Sequence, residues 1–146
     1  MASGVTALVA VCSATMKAIG DDGAFMALVP GGAWDYVSDK PVWPYVCLES
    51  ADEAEPPDGG DNYGGQGRVV TLTFAIFSKY QGRLEQFNIL NELVRVLRHV
   101  RLNVVGWEYL QTWYDGARAV SPFEAGNLLA GQTTATFRVR VLGGGR

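Results

Sequence analysis

The sequence predicts an α+β fold in two layers, a mainly antiparallel sheet of about four to five strands with two helices packed on one face. Three observations carry that expectation. Two stretches repeat apolar residues at helical spacing, one stretch is apolar on both faces as a central strand would be, and the C-terminal stretch alternates with a period of two. With 146 residues the chain suits a single domain with its own core, here residues 1–142, followed by a frayed, disordered tail at 143–146.

The first helix is expected over residues 3–19, where Val5, Leu8, Val9, Cys12, Met16 and Ile19 fall on one stripe. Ser3 is its candidate N-cap and Gly20 the residue just past its end. Residues 21–43 read as irregular, broken by Asp21-Asp22-Gly23, Pro30-Gly31-Gly32 and Pro41, with a short strand beginning around Trp34 and Tyr36. Pro44 then opens a strand from Tyr45 to Glu49. Residues 50–67 hold five acids, two prolines and five glycines and have almost nothing to bury, which reads as a long flexible loop.

Arg68 to Ser78 is the strongest strand signal and, being apolar on both faces, is expected at the centre of the sheet. Gly82 separates it from a second helix at 83–100, whose buried stripe is expected to be Leu84, Phe87, Leu90, Leu93, Val94, Leu97 and Val100. An aromatic strand from Val104 to Ala117 ends at Asp115-Gly116, and a loop with Pro122 and Gly126 leads to the last strand at 132–142. In that strand Ala135, Phe137, Val139 and Val141 alternate with Thr134, Thr136, Arg138 and Arg140, so one face is buried and the other is wet or reserved for a partner.

Composition narrows the function classes. A 48% hydrophobic, 18% charged chain is not generally disordered, and a net charge of −3 does not fit a dedicated nucleic-acid binder. Residues 1–61 carry ten acidic and two basic side chains and residues 62–146 five and ten, which suits a subunit whose acidic part faces a neighbour's basic part if folding does not mix the two halves. Cys12 and Cys47 lack disulfide or metal spacing and read as small core residues in a reducing compartment. No run is long and apolar enough to span a membrane, and with Lys17 the first cation the N-terminus does not read as a signal peptide.

Reactive groups do not converge. His99 is the single histidine and reads as a surface or interface residue, and the glycines at 64–67 precede a strand, the wrong order for a phosphate cradle. The spacing of Asp52, Glu53, Glu55, Asp58 and Asp61 matches no calcium loop. No catalytic, metal-binding or cofactor-binding residue is expected. Trp107, Tyr109 and Trp113 share strand parity and could form core, an interface, or a stacking row for sugars or bases. Arg138 and Arg140 project from one strand face, either solvated or toward a neighbour. The candidate contacts to other subunits or partners are therefore Asp52, Glu53, Glu55, Asp58, Asp61, Arg68, Trp107, Trp113, Arg138 and Arg140.

The order of motifs resembles a known family. An N-terminal helix is followed by Pro44-Tyr45-Val46, a Gly/Asp-rich loop, the strand Val-Thr-Leu-Thr-Phe-Ala-Ile-Phe-Ser at 70–78, Gly82-Arg83-Leu84-Glu85 opening a helix, and two long strands. Over nearly its whole length this pattern is similar to the tail-terminator or tail-completion proteins of long-tailed bacteriophages. The resemblance implies a non-enzymatic virion protein of the tail and neck, assembled in the bacterial cytoplasm. It implies a homohexameric ring that caps the tail tube, stops its polymerisation and joins the tail to the head-side connector or stopper protein. DNA would pass through the lumen without specific binding, and loop 50–67 would order on assembly. A head-closure or neck protein, the cap of an injection device, or a small-molecule or sugar-binding domain are the alternatives.

Overall fold

A computed structural model of the chain describes residues 6–35, 42–55, 67–79, 83–125 and 128–143, and of 120–125 and 128–130 the backbone. The elements run α1 (Leu8–Asp21), α2 (Gly23–Leu28), β1 (Ala33–Trp34), β2 (Tyr45–Ala54), β3 (Gly67–Ser78), α3 (Leu84–His99), β4 (Trp107–Ala125) and β5 (Leu128–Gly143). The strands form one five-stranded sheet in the order β1-β2-β3-β5-β4, antiparallel except for the parallel β1–β2 pair. Helices and sheet share one core, so the expected α+β class holds, with β3 inside the sheet.

The core comes from strand alternation meeting helical stripes. Val70, Leu72, Phe74 and Ile76 of β3 and Ala135, Phe137, Val139 and Val141 of β5 are buried, and α1 adds Val11, Thr15 and Ile19. The Thr15 hydroxyl donates to the Val11 carbonyl at 2.8 Å, which lets a polar group sit in that stripe.

Several boundaries differ from the sequence expectation. Helix α1 starts at Leu8 and runs through Gly20 to Asp21. The N-cap position is Ala7, which has no capping side chain, and the Leu8 N–H donates instead to the hydroxyl of the preceding Thr6 at 2.9 Å; Ser3, the expected N-cap, lies outside the described residues. Gly20 has no positive φ and ends nothing. In the stretch expected to be irregular, α2 forms because the Asp22 carboxylate accepts the Phe25 N–H at 2.9 Å and Phe25 is fully buried. Asp22 also receives Arg95 of α3 at 2.9 Å, tying α2 to α3. The short strand is Ala33–Trp34, while Tyr36, Pro41, Gly82 and Gly126 lie outside the described residues.

The Asp22 carboxyl is held below its ordinary 3.8, first by the Arg95 hydrogen bond and then by the Phe25 N–H. A depressed folded value means the contribution is present above that ordinary value and is lost as pH falls through the folded one. Asp22→Asn, which keeps a capping acceptor but not the charge, is therefore expected to flatten the acid limb of the stability curve. Urea denaturation at about pH 5 and about pH 3 checks this, since the wild type should lose more stability over that interval than the variant.

Helix α3 is rotated from the expected stripe. Its buried residues are Gln86, Ile89, Leu93, Val96 and Leu97, whereas Leu84 and Phe87 are 69% and 44% exposed. The apolar residues of the helix cover about half of its circumference, wider than one buried stripe, so packing selects the phase. Gln86 goes inward because the buried Thr133 hydroxyl donates to its side-chain oxygen at 2.7 Å.

Loop 50–67 is shorter than expected. β2 continues through Ala54, pairing Ser50–Ala54 with Thr73–Val69, and β3 begins at Gly67. A bulge at Glu49 between the Leu48 and Ser50 pairs resets the alternation. Asp115-Gly116 and Pro122 do not end β4 either. Register shifts fall between Tyr114 and Ala117 and between Val120 and Phe123, and Gly116 takes φ +113°, so these residues are bulges on an edge strand. Gly143, assigned to the tail, is the last residue of β5 and pairs with Trp107.

Candidate interaction surfaces

Alternation divides the expected site residues between two faces. On β5 the buried Phe137, Val139 and Val141 face the helices, which sends Arg138 and Arg140 to the opposite, open face. The register lines up Asp52, Thr71, Arg138 and Trp113 on β2, β3, β5 and β4, one row across four strands. At about 4.8 Å between strands that row is roughly 14 Å long, acidic at one end and aromatic at the other. The Arg138 guanidinium meets the Asp115 carboxylate at 3.1 Å, both about half-exposed. Ala54, Val69, Arg140 and Gln111 form a second row.

Glu53, Arg68 and Trp107 gather instead on the helix side. The Glu53 carboxylate accepts the Ala7 N–H at 2.5 Å and the Thr6 hydroxyl at 3.2 Å, so an acid from β2 caps the start of α1. Arg68 lies 4.0 Å from Glu53, and its guanidinium sits 5.8 Å from the centre of the Trp107 ring. Both charged side chains are mostly buried. Glu55 is exposed just past β2, while Asp58 and Asp61 lie outside the described residues. Asp52 and Glu53, adjacent in sequence, thus have unlike roles. Glu53→Ala is expected to lose about 1–2 kcal/mol, through the orphaned Ala7 N–H and the lost attraction to Arg68, whereas Asp52→Ala should stay within about 0.5 kcal/mol. Thermal unfolding of the two variants side by side checks this.

The expected aromatic row does not form. Between Tyr109 and Gln111 the register slips, leaving Leu110 extra, so inward positions change from odd to even. Trp107, Tyr109 and Tyr114 pack against the core, while Trp113 lies opposite Arg138 on the open face. The three-residue stacking platform considered from sequence is therefore absent. A bulge carries no sequence signature in this stretch, which has neither Gly nor Pro beside Leu110.

His99 is exposed at the end of α3. Cys47 is buried and Cys12 half-buried, and burial pushes both thiols up, with the Asp35 charge adding to each and Glu49 also to Cys47. Such thiols are protonated and poorly nucleophilic at neutral pH. Among the described residues no three His, Cys, Asp or Glu side chains cluster as a metal site would require.

Two apolar surfaces lie outside the sequence expectation. A groove of about 650 Å³ runs between α1 and residues 100–107, lined by Val9, Ala10, Ala14, Leu102, Val105 and Trp107 among others. Val9 and Val105 on it are 77% and 78% exposed. Toward the other end of the sheet, Leu28 and Leu84 border a smaller hollow, and the exposed Phe87 follows one turn along α3. The sequence signal for the second patch lies in α3, whose apolar residues are more than one buried stripe can take.

No protein-family model and no curated protein matches the sequence. Solved structures do match. The fold is similar, with TM-score 0.74 and 21% identity over 90% of this chain and 93% of the other, to a chain in the virion of the native gene transfer agent particle. It is similar, with TM-score 0.58 and 16% identity over 95% and 94%, to the bacteriophage SPP1 gp17 protein. At these identities the likeness establishes a shared fold across almost the whole of each chain.

Proposed function

We propose that this chain is a non-enzymatic virion protein of the tail and neck, one domain that assembles into a homohexameric ring as a tail terminator. The ring caps the tail tube, stops its growth and connects it to the head-side stopper protein, with DNA passing through its lumen. The observation that carries this reading is the fold likeness over nine-tenths of the chain to a virion component. The open sheet face supports it, since Asp52 at one border and Arg138 and Arg140 toward the other give unlike patches of the kind a heterologous contact needs. A modest net charge of −3 suits a lumen in which DNA slides, because every phosphate contact adds affinity.

Projection images and light scattering of the purified protein, alone and with tube protein, test the proposal. Six-fold rings and tubes of limited length are expected. A strict monomer that leaves tube length unlimited overturns it. Reversing Arg138 and Arg140 to Glu should leave melting nearly unchanged, since an exposed ion pair such as Arg138–Asp115 is worth about 0–1 kcal/mol, yet weaken assembly about tenfold or more. Intact rings from the double variant would place those arginines outside the interface.

A further inference from the structure

Strand β4 forms one border of the sheet, and among the described residues no strand pairs with its outer side. An unpaired border invites a further strand, and bulges govern which strand fits it. Between Trp107 and Ala119 the border has two bulges. Leu110 is one extra residue, and Asp115-Gly116 holds the other. They flank Trp113 almost evenly, three residues before it and two to three after it. Glu108 and Arg118 stand five residues to either side of Trp113, both exposed and neither ion-paired among the described residues.

A border with that symmetry is complementary to itself. When it is laid antiparallel against β4 of a second copy, with Trp113 facing Trp113 across a two-fold axis, each position meets the one equally far on the other side of Trp113. Glu108 then lies opposite Arg118 of the second copy, and the axis repeats that opposite-charge pair. Gln111 lies opposite Asp115, whose carboxylate already turns to the open face to meet Arg138. On the helix side the bulky Trp107 and Tyr109 face Ala119 and Ala117, and the exposed Leu110 faces Gly116, which has no side chain to oppose it. The bulges fall opposite one another, so inward residues meet inward residues throughout. A slip of one residue would set inward positions against outward ones, and a slip of two would part Glu108 from Arg118. The other border of the sheet fits less well, because β1 already lies beside Val46 and Cys47, and a β4 laid antiparallel along Ser50–Ala54 would run on into it.

We propose that β4 pairs edge to edge with β4 of a second copy, centred on Trp113, to form a two-fold dimer of the free protein. The contact is isologous and therefore closed. It goes beyond the ring, which needs a heterologous contact, and it uses the border of the sheet rather than its open face.

Charge reversal tests the register. Sedimentation equilibrium of the wild-type chain should show dimers in equilibrium with monomers. Glu108→Arg alone and Arg118→Glu alone each bring like charges together twice, and each should raise the dissociation constant about tenfold or more while melting with the wild type. Mixed one to one, the two variants restore both opposite-charge pairs in their heterodimer, which should form with a constant within about threefold of the wild-type one. A wild-type chain that stays monomeric to about 0.1 mM overturns the proposal, as do single variants that dimerise like the wild type or a mixture that does not recover. Independently of any variant, amide exchange between Trp107 and Ala119 should slow about tenfold or more from dilute to concentrated protein, and exchange that ignores concentration overturns the pairing. Six-fold rings that persist unchanged in both single variants keep the ring and remove this contact; a heterodimer recovered on mixing, with no rings even beside tube protein, keeps this contact and removes the ring.

Discussion

Phe137→Ala is expected to cost about 3–5 kcal/mol, the largest loss from any single side-chain truncation in the sheet. Phe137 is fully buried on β5, between Leu72 of β3 and Tyr114 of β4 in the register. Its ring stands edge-on to Phe74, with centres 6.0 Å apart, and tilts against Tyr114 at 5.4 Å. Truncation removes both ring contacts and opens a cavity that three paired strands, held by their ladders, cannot close. At about 2–4 °C per kcal/mol for a domain of this size, melting should fall by about 6–20 °C. Phe137→Leu, which refills most of the volume, should recover more than half of that loss.

Phe87→Ala is the informative partner of that experiment. The helical stripe read from sequence places Phe87 in the core, and the structure places it at the surface. A loss comparable with that of Phe137→Ala would restore the sequence-derived phase of α3; a loss under about 1 kcal/mol supports the observed one. The comparison also shows where sequence reasoning runs out. Strand β3 and the inward residues of β5 were legible because a period of two admits only two phases, and only one buries Phe137, Val139 and Val141. Helix α3 was legible as a helix but not in its rotation, since Leu84, Phe87, Ile89, Leu90, Val94 and Val96 fill both candidate stripes. What fixed the phase was a polar pair, Gln86 with Thr133, from elements 47 residues apart.

The sheet faces of the candidate contact residues were legible in part for the same reason. Arg138 and Arg140 follow from simple alternation and do share the open face. Glu53 and Asp52 look interchangeable in an acidic run, yet a bulge at Glu49 and the register of the five pairs beyond it decide which of them turns toward α1. The acids at 52 and 53 read as loop because composition reports solubility, while strand pairing with Thr71 and Val70 is a tertiary contact that overrides propensity. Trp107 and Trp113 were separated by one extra residue at Leu110, a change that reverses the side chains from Gln111 to Tyr114, up to the next register shift.

Gly31→Ala is expected to be as damaging through the backbone as Phe137→Ala is through the core. A Cβ at Gly31 would coincide with the carbonyl oxygen of Val42 and stand 2.7 Å from its carbonyl carbon and 2.9 Å from the Pro44 oxygen. All three are main-chain atoms, so no rotamer change relieves the clash. The same crossing carries two hydrogen bonds, Gly31 N–H to the Pro44 carbonyl at 3.0 Å and Val46 N–H to the Gly32 carbonyl at 3.0 Å, which set β1 parallel to β2. Separating the two segments enough for a methyl group would break both, and the expected loss is about 3 kcal/mol or more. Two other glycines calibrate the result. A Cβ at Gly131 meets only the end of the Gln86 side chain, which can move at the expense of its bond from Thr133, so Gly131→Ala should cost about 1–3 kcal/mol. At Gly20 nothing lies within 4 Å and the residue is inside α1, so Gly20→Ala should stabilise by about 0.5–1 kcal/mol. Denaturation midpoints of the three variants should therefore rank Gly20→Ala above the wild type, Gly131→Ala below it and Gly31→Ala lowest. If Gly31→Ala melted with the wild type, the close approach of residues 31 and 42 would be wrong, and with it the parallel seating of β1 beside β2.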